Sequence, residues 1–153
     1  RELAPADLFI SGRADTDYSL LGCPVLTDEF ADAGPLAGIA ASLAAASAPL
    51  VLVLAVDMPD MTSAMLRQLL ERCAVGVGVV PRVNHRVEPL AAFYPKAAAL
   101  LAVDLLKRQL RAVRTFAEQC SHAGLVALHD VEAADWNCFA NFNSPADLPL
   151  PGV

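Results

Sequence analysis

Apolar positions along this chain fall into runs and stripes of two periods. Seven consecutive apolar residues run from Leu50 to Val56, LVLVLAV, and Asp57 closes the run. A short run rich in Val and Leu reads as a strand buried on both faces of a parallel sheet. Burying each large side chain is worth roughly 1.5–3 kcal/mol, so exposing this run would forfeit on the order of 10 kcal/mol. An unpaired carboxylate inside such a core costs several kcal/mol, which puts Asp57 just past the carboxyl end of the strand. Ligands of open α/β sheets bind at that edge.

The rest of the chain alternates strand and helix patterns. Leu8 to Ile10 reads as a strand that ends in the polar turn Ser11 to Asp15, and Cys23 to Thr27 as a second one closed by Asp28. Leu36, Ile39, Ala40 and Leu43 recur at helical spacing behind Gly34 and Pro35; proline suits the first helical position. Thr62 is placed to cap a helix with Met65, Leu66, Leu69, Leu70 and Cys73 on one face. Val75, Val77 and Val79 alternate with Gly76 and Gly78, predicting a strand. Between Pro81 and Pro89 the residues Arg82, Asn84, Arg86 and Glu88 alternate, so an extended chain would put them on one face. A strand over Leu90–Tyr94, helices over Lys96–Leu106 and Arg111–Cys120, and a strand over Leu125–Leu128 follow. Trp136 to Phe142 reads as a final strand with Phe139, Asn141 and Asn143 on one parity, and Ser144-Pro-Ala-Asp147 as a helix start. No repeat or linker interrupts the pattern, so one domain over residues 1–153 is expected.

Composition narrows the function classes. The chain has 153 residues and a net charge of −6, which argues against nucleic acid or an anionic membrane as the main partner. No stretch approaches the roughly 20 apolar residues needed to span a bilayer, and no signal peptide pattern is visible. The four cysteines stand far apart with no CxxC pair, as free thiols in a reducing cytoplasm would. The first residue is Arg1, and the apolar strand Leu8–Ile10 follows almost at once, so a preceding segment is expected.

Candidate chemistry sits at the strand ends. Asp57, with Asp60 after Met-Pro, suits a metal held beside phosphates, or a turn that caps the next helix. Arg13 could meet a phosphate or simply face water. Gly34 to Gly38, Gly-Pro-Leu-Ala-Gly, feeds a helix N-terminus whose free N–H groups welcome anions or ring carbonyls; ordinary helix-start chemistry reads the same way. The arginines of the 82–88 row could grip a phosphate in bidentate fashion, or protect a sheet edge. Asn141 and Asn143 could be turn formers or amide readers of a ligand ring. His122 and His129 have no companions at metal-ligand spacing and are read as non-ligands.

The ordered set of these segments resembles the molybdenum cofactor guanylyltransferases, the MobA-like nucleotidyltransferases. It comprises Arg13 after a first strand, Asp28, Gly-Pro-Leu-Ala-Gly (34–38), Val-Asp-Met-Pro (56–59), Glu-Pro-Leu (88–90) with Tyr94, and Phe-Ala-Asn-Phe-Asn-Ser-Pro-Ala-Asp-Leu (139–148). The resemblance implies a three-layer α/β/α Rossmann-like nucleotidyltransferase fold with a mostly parallel sheet, whose N-terminal strand and Gly-rich loop are missing before Arg1. It implies transfer of GMP from GTP to a molybdopterin phosphate with release of pyrophosphate, dependent on Mg²⁺. By resemblance, Asp57 holds the metal and is catalytic together with Arg86. Asp28, Gly34, Pro35, Leu36, Ala37 and Gly38 serve the nucleotide with Asp57. Arg82, Glu88, Asn141 and Asn143 serve the pterin. Protein partners would be other molybdenum cofactor or molybdoenzyme proteins, in the cytoplasm. The alternatives are a cytidylyl- or sugar-phosphate nucleotidyltransferase of the same fold, or a non-catalytic truncated relative.

Overall fold

The computed structural model describes residues 3–12, 16–26 and 33–141. Arg13, Asp28, Asn143 and the helix start at Ser144 lie outside them. The strands are β1 (Ile10–Ser11), β2 (Val25–Leu26), β3 (Leu50–Leu54), β4 (Gly78–Val83), β5 (Arg86–Val87), β6 (Ala91–Pro95) and β7 (Val126–Asp130). The helices are α1 (Pro35–Ala45), α2 (Ser63–Glu71), α3 (Ala99–Lys107) and α4 (Val113–His122).

β1 and β2 form a short parallel pair of their own against α1. In the main sheet β6 lies between β3 and β4 and runs antiparallel to both, while β7 pairs with β4 in parallel. β3, β4 and β7 therefore share one direction with β6 set against them, but β3, read as a strand of a parallel sheet, pairs only with antiparallel β6 among the described residues. The carboxyl ends of β3, β4 and β7 define one edge of the sheet.

Strand alternation splits the apolar side chains into two cores. Val51, Val53, Val80, Ala92, Tyr94 and Val126 face α1, α3 and α4. Leu50, Leu52, Val79, Ala91 and Phe93 face α2 and the segment after β7. This gives helix, sheet and helix layers with an apolar core on each side. β4 and β6 approach so closely at Gly78 that a Cβ there would stand 2.0 Å from the Phe93 carbonyl oxygen. Only glycine fits that contact.

The helices form as their spacing predicts. Thr62 caps α2 by accepting from the Met65 N–H at 3.1 Å, and Met65, Leu66 and Leu69 are buried. Cys120 of α4 is buried against Tyr94 and Phe116, and burial pushes its thiol up to about 12. Among the described residues no helix is long and apolar enough to cross a membrane.

Three strand expectations are corrected. The Leu50–Val56 strand stops at Leu54, and Val56 stands fully exposed in the turn beyond it. Val75 to Val77 is a tight turn, with Ala74 and Val77 exchanging two backbone hydrogen bonds and Gly76 at φ +75°. Alternating Val and Gly misled because Gly76 serves the left-handed corner, not a pleat. The described part of the strand expected over Trp136–Phe142, up to Asn141, is not a strand either: Ala133–Phe139 is a 3-10 helix. Its three-residue period puts Trp136 and Phe139 on one face, and both pack on the α2-side core. The Trp136 indole N–H donates to the Val131 carbonyl at 3.0 Å.

Candidate active site

The carboxyl edge of the sheet gathers most of the charged candidates. β3 ends at Leu54, and the Ala55 N–H donates to the Leu90 carbonyl at 2.8 Å. Asp57 follows in the turn, partly buried, and Met58 then anchors the chain in the α2-side core. The backbone on either side of Asp57 is thus anchored. The Asp57 carboxylate makes no ion pair or hydrogen bond among the described residues.

The basic row does not keep one face. Asn84 and His85 both have positive φ, 45° and 64°, and together form the two-residue corner between β4 and β5. Such a primed turn matches the twist of a hairpin. The register pairs Arg82 with Val87 and Val83 with Arg86. Cross-strand partners share a face. Val87 packs toward α1, α3 and α4, and Val83 toward α2, so Arg82 and Arg86 stand on opposite faces.

Arg82 is engaged by a residue the sequence reading passed over. Its Nε and Nη2 donate to the two carboxylate oxygens of Asp130 at 2.8 and 2.5 Å. This hydrogen-bonded pairing raises the guanidinium and holds the Asp130 carboxyl below its usual range. The signal was present, since Asp130 follows an apolar strand pattern as Asp57 does, but nothing local marks Arg82 and Asp130 as partners. Their pairing joins residues 48 apart in the chain.

Arg86 is exposed and makes no ion pair among the described residues. Glu88 is half-buried. Burial raises its carboxyl, and the charge of Arg86 pulls the other way. The Glu88 N–H donates to the Pro81 carbonyl at 2.9 Å, and the next carbonyl, Pro89, accepts from the Tyr94 hydroxyl at 3.0 Å. The Glu88–Leu90 loop is therefore tied to β4, β6 and the exit of β3.

The Gly-Pro-Leu-Ala-Gly segment divides in two. Gly34 caps α1 at φ +68° and Pro35 takes the first helical position, both exposed. Leu36, Ala37 and Gly38 are buried, with Leu36 wholly inaccessible. The far end of α1 leads through the short Ala46–Pro49 link into β3, so its start points toward the carboxyl edge. Backbone at Gly34 and Pro35 can meet a ligand there, whereas Leu36 to Gly38 hold the helix in place.

Asn141 follows the 3-10 helix and is exposed. A cavity of about 190 Å³ lies elsewhere on this edge, between α2 and the end of β7, lined by Gln68, Arg72, His129 and Glu132 among others and not by Asp57. Among the described residues no three His, Cys, Asp or Glu side chains cluster to hold a metal. A lone carboxylate such as Asp57 still suits a magnesium ion, which keeps several waters and takes its other ligands from substrate phosphates.

Comparison with known proteins agrees with this architecture. Residues 1–123 match the MobA-like NTP transferase domain. A probable molybdenum cofactor guanylyltransferase of Opitutus terrae is 38% identical, with 96% of this chain and 74% of that protein covered. Its counterpart from Pelotomaculum thermopropionicum is 33% identical over 94% and 70%. In fold, the chain resembles the molybdopterin-guanine dinucleotide biosynthesis protein A of Archaeoglobus fulgidus, with TM-score 0.66 at 24% identity over 84% of this chain and 66% of that one. It also resembles the 2-C-methyl-D-erythritol 4-phosphate cytidylyltransferase of Thermus thermophilus, with TM-score 0.68 at 21% identity over 93% and 78%. The chain belongs to the MobA-like NTP transferase family and is a nucleotidyltransferase.

Proposed function

We propose that this chain transfers GMP from GTP to the phosphate of molybdopterin in molybdenum cofactor biosynthesis. The observation that carries the reading is Asp57: a partly buried carboxylate on an anchored turn at the exit of β3, with no partner among the described residues. A carboxylate with no partner on the protein keeps its oxygens available to a metal ion. The relatives' names point to the guanylyl reaction.

In the reaction, an oxygen of the molybdopterin phosphate bonds to the α-phosphorus of GTP. The bond from that phosphorus to the bridging oxygen breaks, and its electron pair leaves with pyrophosphate. Little covalent work falls to the protein, so catalysis rests on positioning and charge neutralisation. Asp57 would hold Mg²⁺, which when bound supplies positive charge beside the phosphates. Arg86 offers guanidinium donors to the charge that develops on the transferring group. Gly34 and Pro35 present the start of α1 to the nucleotide, and Asp28 is assigned to the nucleotide by the family resemblance. Glu88, Asn141, Asn143 and, more remotely, Arg82 serve the pterin. Delivery to other molybdenum cofactor or molybdoenzyme proteins belongs to the same reading.

Thermal shift with magnesium and each nucleotide tests the proposal. GTP is expected to raise the melting temperature and CTP not to. Stabilisation by CTP alone would overturn the guanylyl assignment.

A further inference from the structure

Tyr94 is the largest fully buried side chain of the described residues, and the only polar atom it brings into the core is its hydroxyl. A ring that served packing alone would need no such group, and burying a hydroxyl without a partner costs free energy. The hydroxyl does have one: it reaches along the sheet to the Pro89 carbonyl at 3.0 Å. The ring itself is set by Phe116, with centroids 5.0 Å apart. β6 is an inner strand, paired with β3 on one side and β4 on the other, so Tyr94 acts from within the sheet.

The carbonyl it holds belongs to the loop that joins the two halves of the candidate site. One residue before it is Glu88, whose N–H is tied to Pro81 of β4. One residue after it is Leu90, whose carbonyl receives the Ala55 N–H two positions before Asp57. Pro89 has no N–H of its own to donate. The Glu88 carbonyl accepts from the Ala91 N–H at 3.2 Å and closes the turn, and the Tyr94 bond holds the Pro89 carbonyl between them.

We propose that Tyr94 is a positioning residue, its hydroxyl holding the Glu88–Leu90 loop so that Glu88 meets the pterin substrate at a fixed place beside the β3 exit. This rests on the assignment of Glu88 to the pterin side. Tyr94 touches no substrate and acts through the loop.

The test is Tyr94→Phe in the native enzyme, with Glu88→Gln and Phe116→Leu beside it. Tyr94→Phe keeps the ring and removes only the hydroxyl. It is expected to raise the KM for molybdopterin roughly fivefold or more, the effect of losing one hydrogen bond to a buried carbonyl. The KM for GTP should stay within about twofold of the wild type, a split that uniform loosening would not produce. Amide exchange at Glu88 and Ala55 should quicken, while that at the far end of β6 stays slow. Phe116→Leu disturbs packing alone and should lower the melting temperature without this split. If Glu88→Gln raises the molybdopterin KM and Tyr94→Phe does not, the role of Tyr94 is overturned and the site reading stands. If neither variant moves that KM, the pterin assignment of Glu88 falls, and this inference with it. Parallel rises in both KM values in Tyr94→Phe and Phe116→Leu would reduce Tyr94 to packing.

Discussion

The two edges of the main sheet treat charge in opposite ways. At the edge where β3 begins and β6 ends, the charged groups are consumed by the chain itself. The Lys96 ammonium donates to the Ala46 carbonyl at the end of α1, 2.5 Å away. Asp7 accepts from the N–H and hydroxyl of Ser47 at 2.8 and 2.5 Å. At the carboxyl edge, Asp57 and Arg86 keep their charges without ion pairs among the described residues, and Glu88 is half-buried against its own ionisation. Both edges are built from the same strands, so the contrast is one of use. Charge satisfied locally adds stability, and charge left unsatisfied on rigid backbone is free for a ligand. Arg82 and Asp130 are the exception at the carboxyl edge, since there two charges answer each other.

The comparison breaks most readily at Asp57. Asp57→Ala is expected to reduce magnesium-dependent nucleotidyl transfer by roughly 10²–10³-fold or more, the scale of removing a main electrostatic group. Its melting temperature should stay near the wild-type value, because the side chain has no partner to lose. Near-normal turnover would refute the role. Lys96→Met should behave in the reverse sense. It removes a charged donor from the end of α1 and should cost about 1 kcal/mol in denaturant unfolding, leaving kcat/KM unchanged. A loss of activity without loss of stability would contradict the division between the edges.

The smallest effect is a matter of pH at Asp7. The Ser47 hydroxyl, then the Ser47 N–H, hold its carboxyl below the ordinary value of 3.8. The folded state therefore binds this proton less readily than the unfolded one, so the stabilisation is present above 3.8 and is lost as pH falls through the depressed value. Asp7→Asn should be slightly less stable than the wild type at about pH 6, and the gap should narrow as pH falls below 3.8. A gap that is constant across that range, measured by urea unfolding, would show that the carboxylate contributes nothing.

Much of the scaffold was legible because single elements declared it. The Leu50 run, the Thr62 cap and Gly34-Pro35 ahead of Leu36 each carry their own local signal, and each marks an element that formed, although the strand stops at Leu54 and Leu70 of the α2 stripe is exposed. Where reading failed, the local signal fitted two structures. Asn84-His85 lacks the glycine that usually marks a primed turn, so Arg82 to Glu88 looked like one extended face. Aromatic and polar residues from Trp136 onward alternate well enough for a strand, yet the same residues satisfy a three-residue period.

The order of apolar runs and caps, set by short-range sterics and the need to bury particular side chains, was enough to establish an α/β chain with an acidic residue at a strand exit. Only the folded chain determined which charges meet. Asp130 against Arg82, Tyr94 against Pro89 and Ala55 against Leu90 are contacts between different segments. They depend on strand order, register and the hand of one hairpin turn, none of which a local pattern encodes.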